Sequence, residues 1–377
     1  MKPQGFPIVC LAQHSWESAW ARPQQLMSRF ARSAPVLFVR PISIQHVITK
    51  PYERRKKVLR RNGENLYIYS PIVLPWGRRV PLIRWLNEFI IRRLVKRRIR
   101  KIGLKKFALW IYAPVSEYLV GKLGESLVVY DCTDAWWKFT DVPKYIVRRE
   151  KRLSERADVL FAGTGMVYDE KSRINGNSHL FTCGVDYEHF NPPEAGDNES
   201  LAAFENITRP IIGYFGLIDR QRLDVELLAK MAQGHPDWSI VLIGPVQDRE
   251  CYVLKKYSNV HFIGLVSYEE LPRYVRYFDV AMIPYSINEG TRYINPTKLL
   301  EYMAAGKPVV SSDIPEIRRD YKNRVLLAKN TKEFVSGIEG ILDGSIEVPV
   351  EENRDRSSRH SWESMQYKME QLVSEKL

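Results

Sequence analysis

The chain has 377 residues, 45% of them hydrophobic and 27% charged, which is ordinary for a soluble globular protein and long enough for two domains with their own cores. No run of about 18 apolar residues occurs, so no transmembrane helix is expected, and the apolar start is too short for a signal peptide. The net charge of +13 is confined: Tyr52 to Lys106 holds 18 Lys and Arg against three acids, a local +15 that leaves the remainder at −2.

In chain order, residues 7 to 12 read as a buried strand, followed by a loop and helix carrying His14, Trp16, Trp20 and Arg22. No Gly-x-Gly-x-x-Gly follows that strand, which argues against a dinucleotide-binding dehydrogenase. These polar and aromatic groups instead stand at the carboxyl end of a strand, where ligands sit in open parallel sheets. Taken singly, each is read equally well as packing. Val36 to Arg40 and Leu66 to Ser70 are further strands.

The segment Pro81 to Lys101 has a helical period, with Leu82, Leu86, Phe89, Ile90 and Leu94 along one side and many basic residues elsewhere. With a second cluster at Arg54 to Lys57, Arg60 and Arg61, it suits an anionic membrane surface. Nucleic acid is the competing polyanion, and a core helix with a basic outer face is the bland alternative.

Phe107 to Tyr112 and Ser126 to Asp134 continue the alternation of strand and helix that implies parallel βαβ units. Asp131 and Asp134 fall at a strand's carboxyl end, where a carboxylate can orient or deprotonate a hydroxyl. Asp134 equally suits a helix cap. Asp158 to Thr164 is another strand, and the run Pro192 to Ser200 reads as a linker. Cys10, Cys132, Cys183 and Cys251 lack metal-ligand spacing and read as buried free thiols of a reducing cytosol.

Beyond the linker, Pro210 to Phe215 is a buried strand ending in Gly213-Tyr-Phe-Gly216, a place for close backbone approach by a pyrophosphate. Arg220 or Arg222 is the matching cation. Strands follow at Trp238 to Ile243, Asn259 to Gly264, Asp279 to Pro284 and Val325 to Ala328, and a helix at His360 to Val373. Between them, Asn295 to Ala305 reads as a helix with Asn295 as N-cap, Pro296 at the first turn, and Gly306 and Pro308 as stop. Leu299, Leu300, Met303 and Ala304 share its packing face, whereas Lys298, Glu301, Tyr302 and Ala305 share the free one. Lys298, beside the positive helix end, makes an anion site, and Glu301 is an acceptor for a ribose diol.

The string N-P-T-K-L-L-E-Y-M-A-A-G-K-P-V-V resembles the donor-nucleotide helix of GT-B glycosyltransferases, in particular the retaining family-4 type. Its relatives there serve bacterial cell-surface polysaccharide biosynthesis of the teichuronic acid or exopolysaccharide kind. The resemblance implies an α/β chain with the GT-B fold, two Rossmann-like parallel-sheet domains facing a central cleft. It implies an acceptor-side domain over 1–186, a linker over 187–207, a nucleotide-sugar donor domain over 208–355, and a C-terminal helix, 356–377, crossing back to the first domain. It further implies donor binding by Gly216, Arg222, Gly244, Val266, Asn295, Thr297, Lys298 and Glu301, acceptor binding by His14, Trp16 and Arg22, and catalytic roles for Asp134, Asp131 and Glu289. The segments Y-D-C-x-D and G-V-D-x-x-x-F also match that group. One departure is Tyr293, eight before Glu301, where many members carry a second glutamate; Glu289 is the nearest upstream acid.

The expected function is therefore transfer of a sugar from a nucleotide diphosphate sugar to a hydroxyl of a glycan or lipid-linked acceptor, with retention and without metal or other cofactor. The expected partners are the donor, the acceptor and an anionic membrane surface met by residues 54–106, with no nucleic acid. The place is the cytoplasm, peripheral at the inner face of the cell membrane. A sugar-nucleotide epimerase of the same fold, or a basic membrane- or nucleic-acid-binding protein without transferase activity, is the competing reading.

Overall fold

The computed structural model describes residues 5–17, 20–45, 59–63, 65–77, 79–138, 142–191 and 201–377. The basic cluster at Arg54 to Lys57 and the linker run 192–200 lie outside the described residues. The chain divides into two compact units, residues 1–182 with 362–377, and residues 183–361. Residues 183–186, expected at the end of the first domain, and the rest of the G-V-D-x-x-x-F segment up to Phe190 thus belong to the second unit.

The first unit is built on an eight-stranded sheet. Its strands are β1 (Ile8–Leu11), β2 (Val36–Val39), β4 (Leu59–Asn62), β5 (Leu66–Tyr69), β7 (Ala108–Ile111), β8 (Leu127–Cys132), β9 (Val159–Ala162) and β10 (Ser178–Leu180); β3 (Ile42–Ser43) and β6 (Ile72–Val73) pair separately. The order is β10-β9-β8-β7-β1-β2-β5-β4, parallel except for β4 on β5. Runs such as Ile-Val-Cys-Leu and Val-Leu-Phe-Val are buried throughout because helices cover both faces, so no polar alternation is seen. Strand β4 escapes the sequence reading because Leu-Arg-Arg-Asn carries no apolar pattern, and only the hairpin at Gly63 (φ 78°) returns it onto β5.

Helices α1 (Arg22–Phe30), α2 (Pro81–Ile102), α3 (Lys144–Arg156) and α4 (Gly165–Lys171) complete this unit, together with the C-terminal helix Trp362–Ser374. Trp362, Met365, Met369 and Val373 of the latter lie one turn apart and enter the first unit's core. Arg29 of α1 donates to Glu363 at 2.7 Å.

Helix α2 corrects an expectation. Its packing ridge is Asn87, Ile91, Val95 and Ile99, an i, i+4 row, while Leu82 and Trp85 are 73% and 63% exposed and Leu86 and Phe89 also face solvent. Ridge packing selected the short β-branched side chains, and Asn87 is tolerated inside because it exchanges two 2.9 Å hydrogen bonds with the Leu74 backbone.

The second unit holds a six-stranded parallel sheet of order β13-β12-β11-β14-β15-β16. Its elements are α5 (Tyr187–Phe190), β11 (Ile211–Phe215), α6 (Val225–Gly234), β12 (Ser239–Ile243), β13 (Val260–Gly264), α7 (Leu271–Val275), β14 (Val280–Ile283), α8 (Thr297–Ala304), β15 (Val309–Ser312), α9 (Pro315–Tyr321), β16 (Leu326–Ala328), α10 (Thr331–Leu342) and α11 (Val350–Arg359). Asp224 caps α6 by accepting from the Leu227 N–H at 2.9 Å. The order reverses beside β11, between β12 and β14, so the carboxyl ends there form a switch point where a ligand has room.

Candidate functional site

Three adjacent strands of the second unit end in glycine. Gly216 follows β11 with φ 137°, Gly244 follows β12 with φ 135°, and Gly264 closes β13 with φ 86°, conformations that L side chains rarely adopt. The Gly216 N–H donates to the Ile243 carbonyl at 2.8 Å and the Gly244 N–H to the Gly264 carbonyl at 2.7 Å. A Cβ on Gly244 would stand 2.0 Å from the Gly216 oxygen, so the backbones meet where only hydrogen fits. Gly213, the first glycine of the same motif, has another task. A Cβ there would meet the Phe278 ring at 2.2 Å, so it serves packing and not anion approach.

Helix α8 begins at Thr297, with Pro296 in the cap position and no side-chain cap, so Asn295 is not the N-cap that its type suggests. Its amide nitrogen is buried without a hydrogen-bond partner among the described residues, while its carbonyl accepts from the Cys183 thiol at 3.3 Å. Cys10, Cys132 and Cys251 are buried free thiols and Cys183 is half-buried. The far end of α8 is a Schellman stop, with Lys307 N–H on the Tyr302 carbonyl at 2.9 Å, Gly306 N–H on the Met303 carbonyl at 3.1 Å, and Gly306 at φ 66°. Leu299, Leu300, Met303 and Ala304 are buried as the periodicity requires, each large apolar side chain contributing about 1.5–3 kcal/mol.

Tyr302 departs from the free face assigned to it. It is wholly buried, and its hydroxyl accepts the Phe215 N–H at 3.0 Å at the end of β11. A tyrosine in that position satisfies a strand-end donor and fills space that a smaller residue leaves open. Lys298, Glu301 and Ala305 remain as the partly exposed face.

Lys298 reaches over the glycine step: a Cβ on Gly216 would lie 3.3 Å from its Nζ. The same amine donates to the Tyr285 hydroxyl at 2.7 Å, with the Tyr214 ring 5.3 Å away. Sequence reasoning missed Tyr285 and Tyr214, although Tyr285 lies just beyond the carboxyl end of β14 and the strand-end rule reaches it. Arg222 joins from the turn after β11; its carbonyl accepts the Ser286 N–H at 2.8 Å, and Asp219 holds that turn by accepting the Arg222 N–H at 2.9 Å. Its guanidinium is half-exposed, 3.9 Å from Asp219, whereas Arg220 is engaged with Glu250. The structure thus brings Gly216, Gly244, Arg222 and Lys298 to one end of one sheet.

Val266 is half-buried in the bend after β13, and Thr297 half-buried at the first position of α8. Loop 286–292 is tied down by Asn288, which donates to the Gln221 carbonyl at 2.7 Å and accepts from the Gly290 and Thr291 N–H groups at 2.9 and 3.0 Å. Glu289 stands at its tip with its side chain 74% exposed, 3.5 Å from Arg292. Tyr293 is half-buried one residue after Arg292.

Burial pushes the Glu301 carboxyl up to about 7; Lys298 one turn away pulls it down and Asp186 pushes it further up. A carboxyl whose folded pKa is raised binds its proton more firmly when folded, so its contribution to stability is full below about 4.5 and lost as pH rises through about 7. Glu301→Gln is therefore expected to match the parent in urea unfolding at pH 4 and to exceed it at pH 8.5 by about 3 kcal/mol. A gap that does not change with pH rejects the buried carboxyl.

In the first unit the expected acceptor residues separate. Trp16 is buried edge-on against Phe38, ring centroids 5.1 Å apart. Arg22 is 6% exposed and forms a two-point pair with Asp131 (Nε–Oδ2 3.1 Å, Nη2–Oδ1 2.9 Å) while donating to the carbonyls of Phe181 and Thr182 at 2.6 and 2.9 Å. Asp131 has no accessible surface. Trp16, Arg22 and Asp131 are thus committed to the interior, because a buried carboxylate is tolerable only beside a matched cation. His14 is exposed, and Asp134 is half-buried, accepting from the Thr133 hydroxyl at 3.0 Å. Among the described residues no helix directly follows Asp134 for it to cap; residues 136–138 form a turn. Among the described residues no three His, Cys, Asp or Glu side chains converge as metal ligands would, and no helix is long and apolar enough to cross a membrane.

Residues 209–344 match the family model described as Glycosyl transferases group 1, which spans the glycine steps, Arg222 and all of α8. Two parallel-sheet units and this matched domain define a nucleotide-sugar glycosyltransferase with the GT-B fold. Among proteins it resembles, a "Putative teichuronic acid biosynthesis glycosyltransferase TuaH" of Bacillus subtilis is 26% identical over 275 residues, covering 68% of either chain. Sucrose-phosphate synthase from Thermosynechococcus elongatus superposes with a TM-score of 0.75 at 16% identity over 98% of each chain. The Anabaena protein Alr3699/HepE, in a structure with UDP, does so at 0.68 and 12% identity, covering 98% of this chain and 100% of that one.

Proposed function

We propose that the protein adds a sugar to a hydroxyl of a growing cell-surface glycan, with the donor's diphosphate over Gly216 between Lys298 and Arg222. Glu301 takes the ribose hydroxyls, and the base lies along Gly244 and Val266, with Asn295 and Thr297 at the near end of α8. The observation that carries this reading is the Lys298 amine poised over a side-chain-free strand end, held by Tyr285. Fixed cations and N–H groups facing a leaving diphosphate stabilise the charge that develops there, which makes turnover without a divalent metal the expected behaviour. Asp134, half-buried at a strand end, is the candidate to orient the acceptor hydroxyl, with His14, exposed in the loop after β1, as a candidate contact to the acceptor. Glu289 is the candidate contact to the donor sugar. Retention at the anomeric carbon is part of this reading, and the product's anomeric proton coupling tests it. The teichuronic acid relative supports a polysaccharide product, and the UDP in the HepE structure makes uridine the first base to try.

The deciding experiment is thermal stabilisation by a panel of nucleoside diphosphates and their sugars. Ligand at 100 times its Kd raises stability by about 2.7 kcal/mol, so one base series stands out. No shift from any nucleotide, or epimerisation of a nucleotide sugar in the absence of any acceptor, would sink the transferase reading.

The reading also includes peripheral attachment to the inner face of the cell membrane, with no nucleic acid partner. Along α2 the exposed Leu82, Trp85, Leu86 and Phe89 are succeeded by the exposed Arg93, Lys96, Arg97 and Arg100. Apolar and aromatic side chains beside basic ones suit the head-group boundary of an anionic bilayer. Trp85→Ser with Phe89→Ser is expected to lower partition onto anionic vesicles at least tenfold. Equal partition of the parent onto neutral and anionic vesicles, or steeply salt-dependent DNA binding in their place, refutes attachment.

A further inference from the structure

The strand ends of the first unit enclose a cleft of about 490 Å³ that none of the expected acceptor residues lines. Its floor is made by residues just beyond the strand ends: Gln13 after β1, Arg40 after β2, Pro114 after β7 and Trp136 after β8. Its outer wall is the loop Val73–Gly77 and the inner side of α2. Asn87 fixes that wall through its two bonds to Leu74, and Gly77 lies so close that a Cβ would stand 2.7 Å from the Asn87 amide.

Two properties define what fits. The lining is mostly apolar and includes Ile91 together with the solvent-accessible Leu74, Trp76 and Val115. The charges are unbalanced: Arg40, Arg79 and Arg84 line the cleft, while its one acid, Glu88, is matched by Arg149 at 2.7 Å. Arg84 is set by the Tyr145 ring, 4.1 Å away, and Arg40 and Arg79 meet no carboxylate among the described residues. A second, smaller cleft of about 120 Å³ shares Glu88 and Tyr118 with the first and continues to Trp85 and Phe89. The two together lead from the strand ends to the exposed apolar stripe of α2.

Resting on the transferase reading above, we propose that this cleft binds a phosphate amphiphile: a lipid tail along Leu74, Trp76 and the α2 stripe, and a phosphate or diphosphate head, bearing the acceptor sugar, held by Arg40, Arg79 and Arg84. Arginine suits this task because its planar donors grip phosphate oxygens at two points. Apolar walls alone would take a neutral lipid, and arginines alone a free anion; their conjunction asks for both in one molecule.

The test is calorimetric binding of farnesyl pyrophosphate and dodecyl phosphate, below their micelle concentrations, to the full chain, against inorganic pyrophosphate and dodecanol. Both amphiphiles are expected to bind at least tenfold more tightly than either half-molecule. Arg40→Gln with Arg84→Gln is expected to weaken that binding at least tenfold while leaving nucleotide stabilisation and vesicle partition as in the parent, and Lys298→Ala to leave it unchanged. Amphiphile binding indifferent to the double substitution overturns the proposal. So does pyrophosphate binding as tight as that of its farnesyl ester, or a parallel loss of vesicle partition, which would give the arginines to bilayer head groups. Should the double variant fail to fold, Arg79→Gln, on an exposed side chain, decides in the same way. If no nucleotide stabilises the parent while the amphiphiles bind through the arginines, the donor reading falls and the cleft stands; the reverse pattern removes the cleft alone.

Discussion

Lys298→Ala is expected to lower kcat/KM for the nucleotide sugar by about 10²–10³-fold, the usual cost of deleting one preorganised donor facing developing charge. The lysine is half-exposed at the start of α8, its aliphatic stem passes Gly216, and its amine rests on the Tyr285 hydroxyl at 2.7 Å. Nothing in the core depends on it, so the unliganded melting temperature should move little. The thermal shift by the matching nucleoside diphosphate should largely vanish. Arginine is not an equivalent replacement, because its wide planar fork cannot reproduce the compact ammonium placed over Gly216 and on the Tyr285 hydroxyl. Tyr285→Phe, which leaves the amine in place but frees it, should cost about tenfold, in keeping with one lost hydrogen bond of about 1–1.5 kcal/mol. Undiminished turnover in Lys298→Ala would place the diphosphate elsewhere.

Gly244→Ala is expected to destabilise the second unit by about 4 kcal/mol or more. The added methyl would stand 2.0 Å from the Gly216 carbonyl oxygen and 2.9 Å from its carbon, both backbone atoms held in a strand end. It would also have to sit at φ 135°, a conformation costing a non-glycine residue about 1–3 kcal/mol before the overlap adds about 1–3 more. Gly216→Ala makes the informative contrast, since there the contacts are the Tyr214 hydroxyl at 2.9 Å and the Lys298 side chain at 3.1 Å. The half-exposed Lys298 side chain can move aside, whereas the buried Tyr214 hydroxyl, bonded to the Leu217 carbonyl at 3.0 Å, has little room to give. With no backbone atom in the way, the stability loss should be smaller than at Gly244 and the loss of nucleotide binding larger. Urea unfolding of both variants, with the nucleotide shift measured on whichever folds, separates the two roles. A Gly244→Ala protein as stable as the parent would contradict the close approach of these strand ends.

An arginine at 220 or 222, the glycine at 216, the stop at Gly306 and the basic concentration between Tyr52 and Lys106 are legible in the chain, since each depends on local chemistry, a charge, a missing Cβ or a cap, whereas Gly244 enters only through the family resemblance. The continuous apolar runs of β1, β2, β7 and β9 announced buried parallel strands for the same reason. Which residues of those strings met one another was not legible. Arg22 and Asp131 are 109 residues apart, and only the adjacency of α1 to the end of β8 turns two apparent ligand groups into an internal ion pair. Tyr302 reads as a solvent-facing polar residue until the Phe215 N–H is found above it.

Helix α2 makes the division plainest. Its sequence determined a long basic helix with an apolar stripe, since period and composition are properties of the segment itself. The tertiary structure decided which side turns inward, because packing rewards a row of small branched side chains that fits the neighbouring surface over a more hydrophobic row that does not. That choice, made by Ile91, Val95 and Ile99, is what leaves Leu82, Trp85 and Phe89 in solvent and builds the outer wall of the cleft behind them.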